Sequence, residues 1–217
     1  MISRLRKRTD SLAFVLAKPF VVLNVHPNVV SLLAIPIALV FAFLIFRGLF
    51  LPAFFFGVLA FLVDLFDGSV ARQLGRCTLF GNYLEGIIDK AVDFIVIGSF
   101  VFLFPLATAI ALGSSFLVSF AKPRVGLVIM TDNRHWPGIG ERGDKVAILL
   151  LGLLLSAFFP SFFGLMTMEI VLYLVSGIAL VGLLQRVLYA WKLIEEAKKK
   201  GLVLPYLRED RSARSAK

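Results

Sequence analysis

Charge and cysteine are both scarce in this chain. Only 17% of its 217 residues are Asp, Glu, Lys or Arg, against 59% hydrophobic, and the mean hydropathy is +0.90. So few polar groups cannot cover a soluble globule, which excludes a soluble catalytic or binding domain. The single cysteine, Cys77, excludes an internal disulfide, a thiolate zinc site and an iron–sulfur cluster. The two histidines, His26 and His135, stand far apart in sequence without a ligand spacing, and neither is assigned a role. Acids are outnumbered by bases, giving a net charge of +9. In a chain this apolar the excess fits loops facing anionic lipid, and no nucleic-acid partner is expected.

What the chain has instead is long apolar runs, at about 29–46, 50–63, 91–104, 106–120, 146–163 and 170–184. A membrane-spanning helix needs about 20 apolar residues. The second and third runs are short, but helix-compatible sequence carries them to about Val70 and back to about Gly81. The expected fold is therefore all-α, a polytopic membrane protein with six transmembrane helices. The segment from Ser3 to Val25 mixes basic residues with Leu, Phe and Val, which predicts an amphipathic juxtamembrane helix. Its apolar stretch is broken by Lys18, Pro19, His26 and Pro27, so it does not read as a removable signal peptide. Residues 1–200 are expected to form one transmembrane domain and residues 201–217 a loosely ordered cytoplasmic tail.

With both termini inside, 22 of the 23 Lys and Arg residues fall on one side, and only Arg47 falls on the other. Lys and Arg accumulate on the cytoplasmic side of short loops, which predicts a multi-pass cell-membrane protein with both ends in the cytoplasm.

The most informative stretch runs from Asp64 to Asp93, DLFDGSVARQLGRCTLFGNYLEGIIDKAVD, and carries five of the fourteen acids. Carboxylates at a membrane edge persist where they pair, line water or hold cations. On a helix Asp64, Asp67 and Ala71 share one face, and Glu85 and Asp89 stack four apart on the next. Four converging carboxylates repel unless a cation neutralises them, and hard oxygen donors without His or Cys select Mg²⁺, Mn²⁺ or Ca²⁺. Gly68 and Gly81 leave room for close approach, and the planar fork of Arg72 suits a phosphate. Such a centre implies phosphoryl transfer on a diphosphate-bearing, partly lipid substrate. The bland alternative is that these acids form helix-end salt bridges with Arg72, Arg76 and Lys90.

Asp64, Asp67, Gly68, Ala71, Arg72, Gly81, Glu85 and Asp89 resemble the signature of the CDP-alcohol phosphotransferases, D-x2-D-G-x2-A-R-x8-G-x3-D-x3-D. Every spacing matches, and the one departure is Glu85 in place of Asp. The sequence from His26 to Ser31 is similar to the family's P-N-x-x-[ST] element. The resemblance implies a membrane transferase of phospholipid biosynthesis that moves a lipid-phosphate group from CDP-diacylglycerol or CDP-archaeol to an alcohol and releases CMP. It further implies that Asp64, Asp67, Glu85 and Asp89 hold Mg²⁺ or Mn²⁺, with Asp89 also the general base. Asn28, Ser31, Gly68, Arg72 and Thr78 would touch the CDP-lipid, and a homodimer is implied.

For the acceptor the lead is basic. Lys122 and Arg124 end the fourth span, Arg142 and Lys145 open the fifth, and Arg186 lies near the end of the sixth. The placement of Lys122, Arg124, Arg142 and Arg186 is similar to that of residues binding the acceptor's phosphate in relatives that use inositol phosphate. A polyol phosphate acceptor is therefore expected, inositol phosphate before glycerol phosphate. The alternative for these bases is ordinary positive-inside bias. The loop from Asp132 to Gly140 places Trp136 at the headgroup level or in a lid. Rival classes are a family member using serine, a membrane prenyltransferase and a cation transporter. The prenyltransferase carries its two acidic motifs far apart in sequence, and the transporter has no need of the Gly-x-x-Ala-Arg spacing.

Overall fold

The computed structural model describes residues 13–131, 136–162 and 164–207, without the side chains of Asp64, Leu65 and Phe162. The chain is mostly helical. In order it forms α1 (Lys18–Val22), α2 (Pro27–Phe46), α3 (Phe50–Gln73), α4 (Leu79–Gly98), α5 (Pro105–Val125), α6 (Arg142–Phe158) and α7 (Thr167–Lys199). Between α6 and α7 lies a two-stranded antiparallel hairpin, β1 (Ser161–Phe162) and β2 (Leu165–Met166).

Helices α2 to α7 follow the six apolar runs, and four of them, α2, α3, α5 and α7, are long and apolar enough to cross a membrane. The boundaries differ from expectation where local chemistry intervenes. Helix α6 stops at Phe158 although the apolar run continues, because Pro160 cannot donate to a helical ladder, and the chain turns into the hairpin. Helix α4 ends at Gly98, short of Phe104. Helix α7 runs on well past Leu184 through a Glu-, Lys- and Ala-rich end of high helix propensity. At 33 residues it is about 50 Å long, against a hydrocarbon core of about 30 Å, so its charged end extends into water. Of the expected N-terminal amphipathic helix, residues 3–12 lie outside the described residues. Residues 13–22 are helical apart from a turn at Ala17.

Two compact units are distinguished. The first takes in the chain up to Thr108 together with Leu150–Met168. Within it α2 packs against α3 and α4. The buried residues of α2, Pro27, Val30, Ser31, Ala34, Ala38, Phe41 and Ile45, recur at helical spacing and make one stripe. Ala34 and Ala38 are small enough to let neighbouring backbones approach. Val30, Ala34 and Ala38 join Val63, Phe66 and Val70 of α3 and Ile88 and Val92 of α4 in one apolar cluster. Ala17 belongs to the same cluster, and the Phe20 and Phe66 rings lie 6.3 Å apart. The segment before α2 is thus packed onto α3.

The second unit comprises Ala109–Leu149 and Glu169–Lys217. Val125, Ile129 and Ala197 form its buried cluster, with Trp136, Ala190, Leu193 and Ile194 packed against it. Beyond α7, Gly201 at φ +69° reverses the chain, and residues 202–204 pair with 128–130 through Met130 N–H to Leu202 O at 2.9 Å and Leu204 N–H to Val128 O at 3.1 Å. Tyr206 hydroxyl donates to Leu127 O. The first residues of the expected loose tail are therefore tied down, and residues 208–217 lie outside the described residues.

Candidate active site

Helix α3 ends in a glycine turn that builds one wall of a cleft. Gly75 adopts φ +64°, where a side chain is strained. Its N–H donates to Arg72 O at 3.3 Å and the Arg76 N–H to Ala71 O at 2.9 Å, the two bonds of a Schellman cap. The chain then returns through Arg76 and Cys77 to Thr78, the N-cap of α4. Thr78 Oγ1 accepts from Gly81 N–H at 2.9 Å. Helix α2 starts at the same place. Pro27 is at its first turn and His26 is its N-cap, with Nδ1 accepting from Asn28 N–H at 3.3 Å.

Between these helix starts and the end of α3 lies a cleft with about 550 Å³ of empty space, part of it open to solvent. Its lining includes Asn28 and Ser31 from α2, Asp67, Gly68, Ala71 and Arg72 from α3, and Thr78, Gly81 and Glu85 at the start of α4. These nine residues, two from the first sequence element and seven from the stretch between Asp64 and Asp93, thus meet at one opening in the first unit. All five residues expected to touch CDP-lipid, Asn28, Ser31, Gly68, Arg72 and Thr78, are among them.

Asp67 is buried, 4% exposed. Ser31 Oγ donates to its Oδ2 at 2.6 Å and the Gly68 N–H to its Oδ1 at 2.5 Å. Asp89 stands one turn beyond Glu85 on α4, half-buried and past the residues that line the cleft. The Asp64 side chain lies outside the described residues. Asp93 pairs with Lys90 at 3.3 Å, so for this acid the salt bridge is realised.

The glycines of the signature have packing reasons. A Cβ on Gly81 would stand 2.9 Å from Thr78 Oγ1 and 3.3 Å from Asn28 Oδ1. A Cβ on Gly68 would touch Arg72 Nη1 at 3.4 Å, so the guanidinium lies back over the helix beside it.

Among the described residues no three His, Cys, Asp or Glu side chains form a group able to hold a metal ion. The chemistry of the donors nonetheless fits a hard divalent cation. Asp67 and Glu85 bring carboxylate oxygens to one cleft from two helices, flanked by the hydroxyl and amide oxygens of Ser31, Thr78 and Asn28. Arg72 and Arg76 add cations at the rim.

Sequence reasoning missed Arg76, Asn82 and Pro27 as cleft residues, and it left His26 without a role although it caps α2. The signal for Arg76 was present, since it follows a glycine placed to end a helix.

The basic residues expected to bind an acceptor all belong to the second unit. Lys122 and Arg124 lie in the last turn of α5, and Arg142 opens α6. Arg186 is buried in α7 at 7% exposure, and its Nη1 donates to Val118 O at 2.6 Å. Lys145, one turn into α6, is buried as well. Asp144 Oδ2 accepts from the N–H groups of Gly140 and Glu141 at 3.1 and 3.3 Å and so shapes the start of α6. Trp136 sits edge-on against Tyr189, ring centres 5.3 Å apart, which anchors the end of its loop.

The CDP-alcohol phosphatidyltransferase family profile matches residues 24–193, and the chain belongs to that family. The chain is 27% identical over 203 residues to the archaetidylinositol phosphate synthase of Pyrococcus horikoshii, covering 90% of this chain and 99% of that one. It is 29% identical over 138 residues to the enzyme of the same name from Methanothermobacter thermautotrophicus, covering 60% of this chain and 65% of that one, just under two thirds of its length. In fold it is similar to the phosphatidylinositol phosphate synthase of Mycobacterium tuberculosis solved with CDP-DAG bound. That likeness has a TM-score of 0.71 at 23% identity, over 83% of this chain and 94% of that one. A second structure of that protein, in complex with manganese and citrate, gives a TM-score of 0.69, also at 23% identity, over 82% of this chain and 88% of that one.

Proposed function

We propose that this protein transfers a lipid-phosphate group, phosphatidyl or archaetidyl, from a CDP-lipid to the hydroxyl of a polyol phosphate and releases CMP. Inositol phosphate is the preferred acceptor and glycerol phosphate the next. The observation that carries this reading is the gathering of Asn28, Ser31, Asp67, Gly68, Arg72, Thr78, Gly81 and Glu85 around one cleft. Family membership supports the CDP-alcohol chemistry. The names of the archaeal relatives support an inositol phosphate acceptor.

Asp64, Asp67, Glu85 and Asp89 are assigned as the residues that hold Mg²⁺ or Mn²⁺. A bound divalent ion supplies charge stabilisation on the diphosphate oxygens and the leaving group. The chain's own residues do the rest. Arg72 offers its planar fork to a donor phosphate. Gly68 and Gly81 let the donor approach the backbone. Asp89 takes the proton of the attacking hydroxyl while a new oxygen–phosphorus bond forms and the bond from phosphorus to the CMP oxygen breaks. Lys122, Arg124, Arg142 and Arg186 are assigned to the acceptor's phosphate. A single transmembrane domain of residues 1–200, six spans, cytoplasmic termini and a homodimer complete the proposal.

The cleft assignment is tested with CDP-lipid titrated into purified protein in detergent. Arg72→Ala should weaken CDP-lipid binding by at least about tenfold through the loss of one charge-assisted contact, and Gly68→Val should weaken it by filling the space beside the Arg72 guanidinium. Wild-type affinity in both would remove the donor from this cleft.

A further inference from the structure

The Ser31 hydroxyl has one proton and two acceptors within reach. In a helix a serine hydroxyl ordinarily donates back to the carbonyl four residues earlier. Ser114 does so to Ile110 O at 2.8 Å, and Ser176 to Leu172 O at 2.8 Å. Ser31 departs from this pattern, standing 3.4 Å from Pro27 O and 2.6 Å from Asp67 Oδ2. The short contact takes the proton, so the bond belongs to the carboxylate. Both residues are buried, Ser31 at 6% and Asp67 at 4% exposure, so water does not readily replace it.

The Gly68 N–H donates to the other oxygen, Oδ1, at 2.5 Å. Donors on both oxygens fix the rotation of the carboxylate plane. Hydrogen bonds of this kind orient metal ligands and tune their affinity.

We propose that Ser31 is a positioning residue for Asp67. It sets the orientation in which that carboxylate meets a divalent cation. The inference rests on the metal role of Asp67 proposed above.

The test is Mn²⁺ binding to the purified protein in detergent without CDP-lipid, read by electron paramagnetic resonance of free Mn²⁺. Ser31→Ala should weaken Mn²⁺ binding about 10- to 100-fold, and Ser31→Thr should restore it. If Ser31→Ala does not fold, Ser31→Thr and Ser31→Val, alike in shape and differing in the hydroxyl, make the same comparison. Wild-type Mn²⁺ affinity without the hydroxyl overturns the inference while leaving the metal site standing. If the wild type binds no Mn²⁺, and Asp67→Asn matches it, the metal reading of the cleft fails and this inference with it.

Discussion

Thr78 Oγ1 lies 2.9 Å from the backbone nitrogen of Gly81, and a Cβ placed on Gly81 would come within 2.9 Å of that same oxygen. The cap of α4 and the bare face of its first turn are thus one construction. The hydroxyl satisfies a free N–H at the helix start, and the missing side chain lets Asn28 of α2 approach.

Gly81→Ala should therefore damage the site although alanine is the better helix former. Displacing Thr78 and Asn28 is an overpacking change of about 1–3 kcal/mol. Turnover should fall at least about tenfold while the thermal transition moves by only a few degrees. Wild-type turnover in this variant would mean that the cleft tolerates a side chain there.

Thr78→Ala should lose the cap bond and about 1 kcal/mol of stability, seen as a lower thermal transition in detergent, and Thr78→Ser should restore it. Equal melting of the alanine variant and the wild type would show that the cap contributes nothing.

Asp89→Asn removes the assigned base and keeps the shape. Turnover should drop about 10²- to 10⁴-fold, with CDP-lipid still bound. Near-normal turnover would take the base role from Asp89.

Glu85 stands where the family signature has Asp. Because Glu85 lines the cleft at its present length, Glu85→Gln should abolish metal-dependent turnover, whereas Glu85→Asp, which keeps the charge, should retain measurable activity. Full activity of the glutamine variant would show that this carboxylate is not a ligand.

Arg142→Ala should raise the KM for a phosphorylated acceptor at least about tenfold with little change in the CDP-lipid KM. Unchanged acceptor kinetics would take the acceptor role from Arg142.

The local part of this site was legible in sequence because helical spacing is a local rule. Asp67 and Arg72 on α3, and Gly81 and Glu85 on α4, follow from intervals of three to five residues once the segments are helices. The bond from Ser31 to Asp67 spans 36 positions, and nothing in either segment announces which hydroxyl turns away from its own helix. The same limit applies to the pairing of residues 128–130 with 202–204, which depends on how α7 ends at Gly201. Apolar runs located the helices but not their ends. Pro160 cuts one run short, and charged residues of high helix propensity carry α7 past the apolar segment. His26 looked incidental because capping by a ring nitrogen has a weak sequence signal, whereas Pro27 after it was the stronger sign of a helix start.

The central claim is transfer from a CDP-lipid to a polyol phosphate. Its most direct test is CMP release by the purified protein in detergent, given CDP-diacylglycerol or CDP-archaeol, Mg²⁺ or Mn²⁺, and inositol phosphate, glycerol phosphate, inositol or serine in turn. The account predicts CMP, with an equal amount of lipid product, when inositol phosphate is present, and little with serine or unphosphorylated inositol. CMP release with serine alone, or none with any acceptor and either ion, would contradict it.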